Sequence, residues 1–166
     1  SILLCIPSLF GYINTDINYD ILVYLPEDID TMKGQDILAE DFDMGSFAMC
    51  VVENMSSKDI LDLEEKYKDI EGVVKVVSAN DMIGTTPKEM LPSDVTKQFK
   101  KGNSELMLVT FKDSTVAIDA ITQMREITSD KVVRIGGMSA STLDTSIVAD
   151  SEIITYVIVA VILVLI

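Results

Sequence analysis

Acidic side chains near the start of the chain come close to a known metal-binding pattern. Asp16, Asn18, Asp20 and Glu27 fall at the first, third, fifth and twelfth positions of a calcium loop of the EF-hand type. That loop needs glycine at its sixth position for a sharp turn, and Ile21 stands there instead, followed by an apolar run. The spacing therefore does not predict a calcium site, and we expect neither a metal ion nor another cofactor.

The patterns that would indicate catalysis are missing from the sequence. The chain has no histidine, so it cannot assemble a Ser-His-Asp or Cys-His site from its own residues. Residues 136–141 read GGMSAS and lack the final glycine of a G-x-S-x-G nucleophile elbow. The sequence contains no G-x-x-x-x-G-K-[ST] loop for a nucleotide, and Cys5 and Cys50 are too few for a zinc cluster. We therefore expect that the protein is not an enzyme.

Both ends of the chain are apolar. Residues 153–166 read IITYVIVAVILVLI, carry no charge and as a helix would cover about 21 Å of a hydrocarbon layer about 30 Å thick. Residues 1–13 form a second uncharged stretch, without the basic leader of a signal peptide. We expect the first stretch to be the end of one transmembrane helix and the last to be the start of another. The alternative is that both ends are ordinary core elements.

The charged residues indicate the side of the membrane. The chain has 13 basic and 27 acidic residues, a net charge of -14, which argues against nucleic acid as a partner. No Lys or Arg occurs in residues 10–32 or 135–166, although both ranges contain Asp and Glu. Cytoplasmic flanks of membrane helices usually carry Lys and Arg. We therefore expect a protein of the cell membrane whose folded part lies on the extracytoplasmic side.

The middle of the chain alternates between strand and helix patterns. Residues 46–137 read strand, helix, strand, strand, helix, strand, which is two βαβ units in succession. Right-handed crossovers then favour an α+β fold with a split βαβ sheet, the ferredoxin-like βαββαβ arrangement. Residues 138–152 contain no helix breaker and predict one unbroken helix that leads into the apolar run at 153–166.

The segment 14–45 is predicted to lead from the first membrane helix into this domain. Residues 18–26 are β-rich in composition and end at Pro26, so they predict a lead-in strand. Asp30 or Thr31 is expected to cap a short helix. The predicted inner face of this helix consists of Met32, Ile37, Leu38 and Phe42.

Taken together, this layout resembles the first outer loop of resistance-nodulation-division (RND) transporters, and among them exporters of the mycobacterial-membrane-protein-large (MMPL) type. The similarity covers nearly the whole chain and rests on the order and spacing of short motifs. The residues that carry it are Asn18, Tyr19, Asp20, Tyr24, Leu25, Pro26, Glu27, Asp28, Phe42, Gly72, Val73, Gly136, Gly137, Met138, Ser139 and Ala140.

The resemblance implies a porter-type domain between the first and second spans of a pump with two similar halves. Members of the family export lipids, drugs and other hydrophobic or amphiphilic molecules, driven by an ion gradient through membrane helices that lie outside this sequence. The partners implied are membrane lipid, the substrate and the rest of the same transporter chain, including a second similar domain. Side chains that could line a substrate path, or instead pack their loop onto the sheet, are Met82, Ile83, Met90, Leu91 and Phe99.

Two other functions fit the same pattern. One is the extracytoplasmic ligand-binding domain of a two-span membrane sensor, which also has one span on each side of an α/β domain. The other is a soluble regulatory domain of ferredoxin-like type whose apolar ends are buried. The sequence does not identify the substrate, the direction of transport or the oligomeric state.

Overall fold

The computed structural model describes residues 19–79, 81 and 99–165, together with residues 7, 10, 11, 14 and 15. Most of the predicted membrane stretch 1–13 therefore lies outside the described residues. The helices are α1 (Asp30–Phe42), α2 (Ser57–Lys68), α3 (Ser114–Ile127) and α4 (Met138–Leu165). The strands are β1 (Ser46–Glu53), β2 (Val73–Val77), β3 (Lys100–Lys101), β4 (Ser104–Phe111) and β5 (Val133–Gly136).

The strands form one sheet in the order β2-β4-β1-β5, and β3 adds a short pairing to β4. All the pairings are antiparallel. Helix α2 follows β1 and leads to β2, while α3 follows β4 and leads to β5, so the two βαβ units interleave. This confirms the predicted α+β fold.

The core lies on one face of the sheet. Alternate residues of β1 are buried at Ala48, Cys50 and Val52, as the two-residue period of a strand with one covered face requires. Helices α2, α3 and the first turns of α4 bury their apolar side chains against this face. Ile60, Leu63 and Tyr67 of α2 are buried, and so is Ile70 just after it. Ser56 caps α2 and Asp113 caps α3, because each side chain accepts a backbone hydrogen bond from the first turn of its helix.

The predicted lead-in strand is wrong for the residues that the structure describes. Ile21–Tyr24 form a 3-10 turn, and the carboxylate of Asp20 accepts a hydrogen bond from the backbone amide of Leu22 at 2.9 Å. Such a local side-chain cap competes with strand pairing, and the β-rich composition of the segment did not reveal it.

Helix α1 forms where it was predicted, but it presents a different face to the body. Its inward side chains are those of Met32, Gln35 and Ala39, which are partly buried and spaced three and four residues apart. The predicted inner residues Ile37, Leu38 and Phe42 are 53%, 40% and 66% exposed. The predicted cap at Asp30 or Thr31 is also wrong, because Ile29 occupies the N-cap position without a side-chain hydrogen bond. The prediction failed because a helix with apolar side chains on two sides does not indicate which side is covered.

Helix α4 is continuous from the end of the sheet through the apolar run, as predicted. Its first turns pack into the core through Ala140 and Leu143. From Ile154 to Val164 its large apolar side chains are all exposed. Within the described residues, α4 is the one helix long and apolar enough to cross a membrane.

Candidate functional site

A partly open cavity of about 470 Å³ lies where the lead-in turn, α1 and the start of α4 meet. Two other cavities formed by described residues have volumes of about 420 and 150 Å³. The side chains and backbone that line it come from the lead-in turn, α1, the start of β1, the β4–α3 junction and the start of α4. They are Asp20, Leu22, Val23, Thr31, Met32, Gln35, Asp36, Ala39, Gly45, Ser46, Phe47, Lys112, Asp113, Ser114, Met138, Ser139 and Thr142.

The turn before α4 forms one wall of the cavity and fixes this helix to β1. Gly137 has φ +109, a conformation that side chains with a Cβ rarely adopt. The backbone of Gly137 packs against Ala48 of β1. A Cβ added at Gly137 would sit 3.4 Å from the Cα atom of Ala48. Directly after it, the buried hydroxyl of Ser139 contacts the hydroxyl of Ser46 and donates to the carbonyl of Phe47 at 3.2 Å.

The opposite wall is held by hydrogen bonds of the lead-in turn and α1. The Asp20 side chain is 8% exposed and caps the 3-10 turn. The amide nitrogen of Gln35 donates to the carbonyl of Gly45 at 2.5 Å and so ties α1 to the start of β1. Gly45 packs closely against Lys112, the residue that follows β4. A Cβ added at Gly45 would sit 1.9 Å from the carbonyl oxygen of Lys112. The cavity is thus framed by backbone contacts as well as by side chains.

The lining of the cavity is partly apolar and partly charged. Apolar side chains, among them Leu22, Met32 and Phe47, share the lining with a few charged groups at Asp20, Asp36, Lys112 and Asp113. Asp20 and Asp113 already cap a turn and a helix. Across the part of the chain that the structure describes, no group of three His, Cys, Asp or Glu residues could hold a metal ion. A cavity of this size and lining suits a small, mostly apolar ligand.

The strongest shifts of pKa lie in the core, away from this cavity. Burial raises the pKa of the Cys50 thiol to about 11, and its sulfur lies 3.8 Å from the Tyr67 hydroxyl oxygen. Burial also raises the pKa of Tyr67. A thiol held in its protonated form is a poor nucleophile, so Cys50 acts as a small apolar core residue.

The structure brings together part of the motif that carries the family resemblance. Asp20, Met138 and Ser139 line the cavity, and Gly137 and Ala140 pack beside it, Ala140 being 1% exposed. Tyr24 is 71% exposed. Tyr19 and Leu25 are partly buried, and Pro26 and Gly136 are exposed, while Asn18 lies outside the described residues.

The predicted substrate path is largely outside the described residues, because Met82, Ile83, Met90 and Leu91 all fall there. Phe99 is described; it is partly buried next to β3 and does not line the cavity.

Among the cavity residues that sequence reasoning did not identify are Gln35, Phe47 and Thr142. Gln35 interrupts the apolar pattern of α1, Phe47 points to the less covered face of β1, and Thr142 lies on a polar part of α4. The spacing of Met32, Gln35 and Ala39, three and then four residues apart, was a signal that could have identified the α1 wall.

Comparison with known proteins does not identify a family for this chain. No protein-family model matches the chain, and no curated protein matches it.

Proposed function

We propose that this chain is an extracytoplasmic porter-like domain of an RND or MMPL-type membrane transporter. The transporter exports lipids, drugs or other hydrophobic or amphiphilic molecules by an ion-gradient-driven mechanism. The domain gives such molecules a binding place outside the membrane, and the rest of the transporter chain supplies the coupling helices.

The observation that carries the proposal is the course of α4. Its amino-terminal turns belong to the core and its carboxyl-terminal turns expose apolar side chains on every side, from Ile154 to Val164. An uninterrupted row of exposed apolar residues is unfavourable in water and favourable in lipid. A folded acidic body joined to a membrane helix without a flexible linker is the geometry that a porter domain needs.

The position of the cavity supports the same function. Thr142 on its wall precedes Ile153, the first residue of the apolar run, by 11 positions, which is about 16 Å of helix. A ligand bound there would therefore lie outside the hydrocarbon layer, in contact with the helix that enters it. The mixed apolar and charged lining fits an amphiphilic molecule.

A bulky side chain in the cavity tests this proposal. In the full-length protein, Met32→Trp places an indole in the space that we assign to the substrate, so export of an amphiphilic dye should fall at least about tenfold, the effect of losing roughly 1.4 kcal/mol of binding. Export is measured as dye loss from preloaded cells. The matched control is Ile37→Trp, an exposed position on the same helix. Equal export by both variants, at equal expression, contradicts the proposal.

The contact between the cavity and α4 also supports a second candidate, the ligand-binding domain of a two-span sensor. A ligand beside Ser139 and Thr142 would touch the helix that enters the membrane. In that case Met32→Trp changes a ligand-dependent signal of the full-length protein and leaves dye export at the level of cells without the protein.

A further inference from the structure

Two glutamates are buried where α2 packs against the start of β4. Glu64 of α2 is 2% exposed and Glu105 of β4 is 4% exposed. The Oε1 atom of each has no hydrogen-bond partner among the described residues. Carboxylates are rarely buried without partners, because an ionised group loses its hydration there. The pair is separate from the cavity at α4 and so does not depend on the proposed function.

Two lysines of the described residues lie near this pair of glutamates. Lys100 of β3 places its Nζ atom 3.6 Å from Oε2 of Glu105, and 56% of the Lys100 side chain is exposed. Lys68, one helical turn after Glu64, is exposed. Asp81 adds a third negative charge, and the side chain of Ser78 hydrogen-bonds to Glu64. Among the described residues, the site therefore holds three carboxylates against two lysines that are largely in water.

These surroundings disfavour the ionised form of Glu64. Burial raises the pKa of its carboxyl, and the negative charges of Asp81 and Glu105 raise it further. The hydrogen bond with Ser78 and the charge of Lys68 act in the opposite direction and leave the pKa raised. Glu105 has Lys100 as its partner, so Glu64 is the member of the pair that gains most from becoming neutral.

We propose that the buried carboxyls of Glu64 and Glu105 form a proton-binding site, in which Glu64 carries the proton and Glu105 contacts Lys100. The proton removes one of two neighbouring buried charges. The proton also supplies a hydrogen-bond donor beside the unpaired Oε1 atoms of Glu64 and Glu105, which can only accept hydrogen bonds when ionised. The packing of α2 on β4 is then tightest in the protonated state, which makes this contact sensitive to pH on the side of the membrane where the domain lies.

A proton fits this site better than a metal ion does. Calcium takes six to eight oxygen ligands, and the described residues contain no group of three acidic, His or Cys side chains that could hold a metal. Solvent has a route to the site, because Glu105 also lines a cavity of about 150 Å³ together with Lys100, Asn103 and Ser104. A cavity of this size holds water, which can deliver the proton.

The sign of the pH effect follows from the raised pKa. The folded state binds the proton more tightly than the unfolded state, where the carboxyl has the ordinary value of 4.5. The stabilisation is therefore fully present below this value and is lost as the pH rises from it through the higher pKa of the folded protein. Above the folded pKa the stability no longer depends on this group.

Variants of neighbouring glutamates test the proposal in the whole chain, reconstituted in detergent micelles. Glu64→Gln should raise the guanidinium midpoint of unfolding at pH 8 and remove the loss of stability that the unmodified chain shows between pH 4.5 and pH 8. Glu65→Gln is the matched control, since Glu65 is exposed on the same helix, and it should keep that loss. Identical pH profiles of the two variants would overturn the proposal.

A second measurement covers the case in which Glu64→Gln does not fold. Carbon-13 NMR of the glutamate side-chain carboxyls of the unmodified chain should show one resonance that titrates above the exposed glutamates and disappears in Glu64→Gln or Glu64→Asp. If every glutamate titrates together, the site binds no proton. Millimolar Ca²⁺ or Mg²⁺ could instead raise the unfolding midpoint of the unmodified chain and of Glu65→Gln but not that of Glu64→Asp. In that case the ligand is a metal ion and the proton assignment is wrong.

Discussion

At the scale of single residues, the junction between the sheet and α4 depends on the backbone of Gly137. Its positive φ turns the chain directly from β5 into the helix, and its missing side chain lets the turn lie against β1. The contacts that an added Cβ would make, 3.4–3.5 Å, are ordinary van der Waals distances. The strained dihedral, and not a clash, is therefore what restricts this position to glycine.

Gly137→Ala should consequently destabilise the fold by about 1–3 kcal/mol, the usual range for a residue in a sparsely populated backbone region. Chemical unfolding of the whole chain in micelles measures the change.

The neighbouring Gly136 is the natural control for this substitution. It has an ordinary φ and no atom within 4 Å of an added Cβ, so Gly136→Ala should change stability by less than about 0.5 kcal/mol. A similar loss of folding stability in both variants would show that the flexibility of the whole turn matters, and not the φ angle of Gly137.

At the scale of elements, α4 is attached to the body by apolar packing and by one ion pair. Leu143 is 6% exposed and belongs to the core. Next to it, Asp144 accepts two hydrogen bonds from Arg125 of α3, at 2.6 and 3.1 Å. The two side chains of this ion pair are 35% and 58% exposed, and an ion pair in contact with water contributes little to stability.

The two adjacent substitutions should therefore differ clearly. Leu143→Ala removes a buried side chain and should cost about 2–5 kcal/mol. Asp144→Asn leaves packing intact and should cost less than about 1 kcal/mol. Guanidinium unfolding of both variants decides the matter, and a larger loss for Asp144→Asn would mean that the ion pair is what holds α4 to α3.

The elements also show where sequence patterns were sufficient. The alternation of strands and helices over residues 46–137 was predicted, because these segments combine a clear hydrophobic period with breaks between them. The lead-in segment was not, since its conformation depends on one side-chain bond of Asp20. Nor could the sequence identify the covered side of α1, because that depends on tertiary contacts such as the one between Gln35 and Gly45. The cavity consists mainly of these poorly predicted parts.

At the scale of the whole molecule, the charge distribution is the basis for the extracytoplasmic orientation that we propose. The chain has no Lys or Arg after Arg134, while Asp144, Asp150 and Glu152 precede the apolar run. Absence of positive charge beside a membrane helix is typical of the extracytoplasmic side.

Thiol labelling in intact cells tests this orientation. Ser141 is exposed on α4, 12 residues before the apolar run begins at Ile153, so Ser141→Cys in a Cys5→Ser background should react with a membrane-impermeant maleimide within minutes. The same background without the new cysteine is the control, because Cys50 is buried and its pKa is raised to about 11. Labelling only after the cells are permeabilised would place the domain in the cytoplasm.

The continuous course of α4 has a mechanical consequence. Between Leu143, its last buried residue, and Ile153 there are ten helical steps, or about 15 Å of rod without a hinge. Such a rod acts as a lever, and tilting it by about 10° within the bilayer would swing the body sideways by about 3 Å, well inside the range of tilts that membrane helices adopt. In the transporter that we propose, a rearrangement of the membrane helices would therefore move the whole folded body, because no loop separates it from α4.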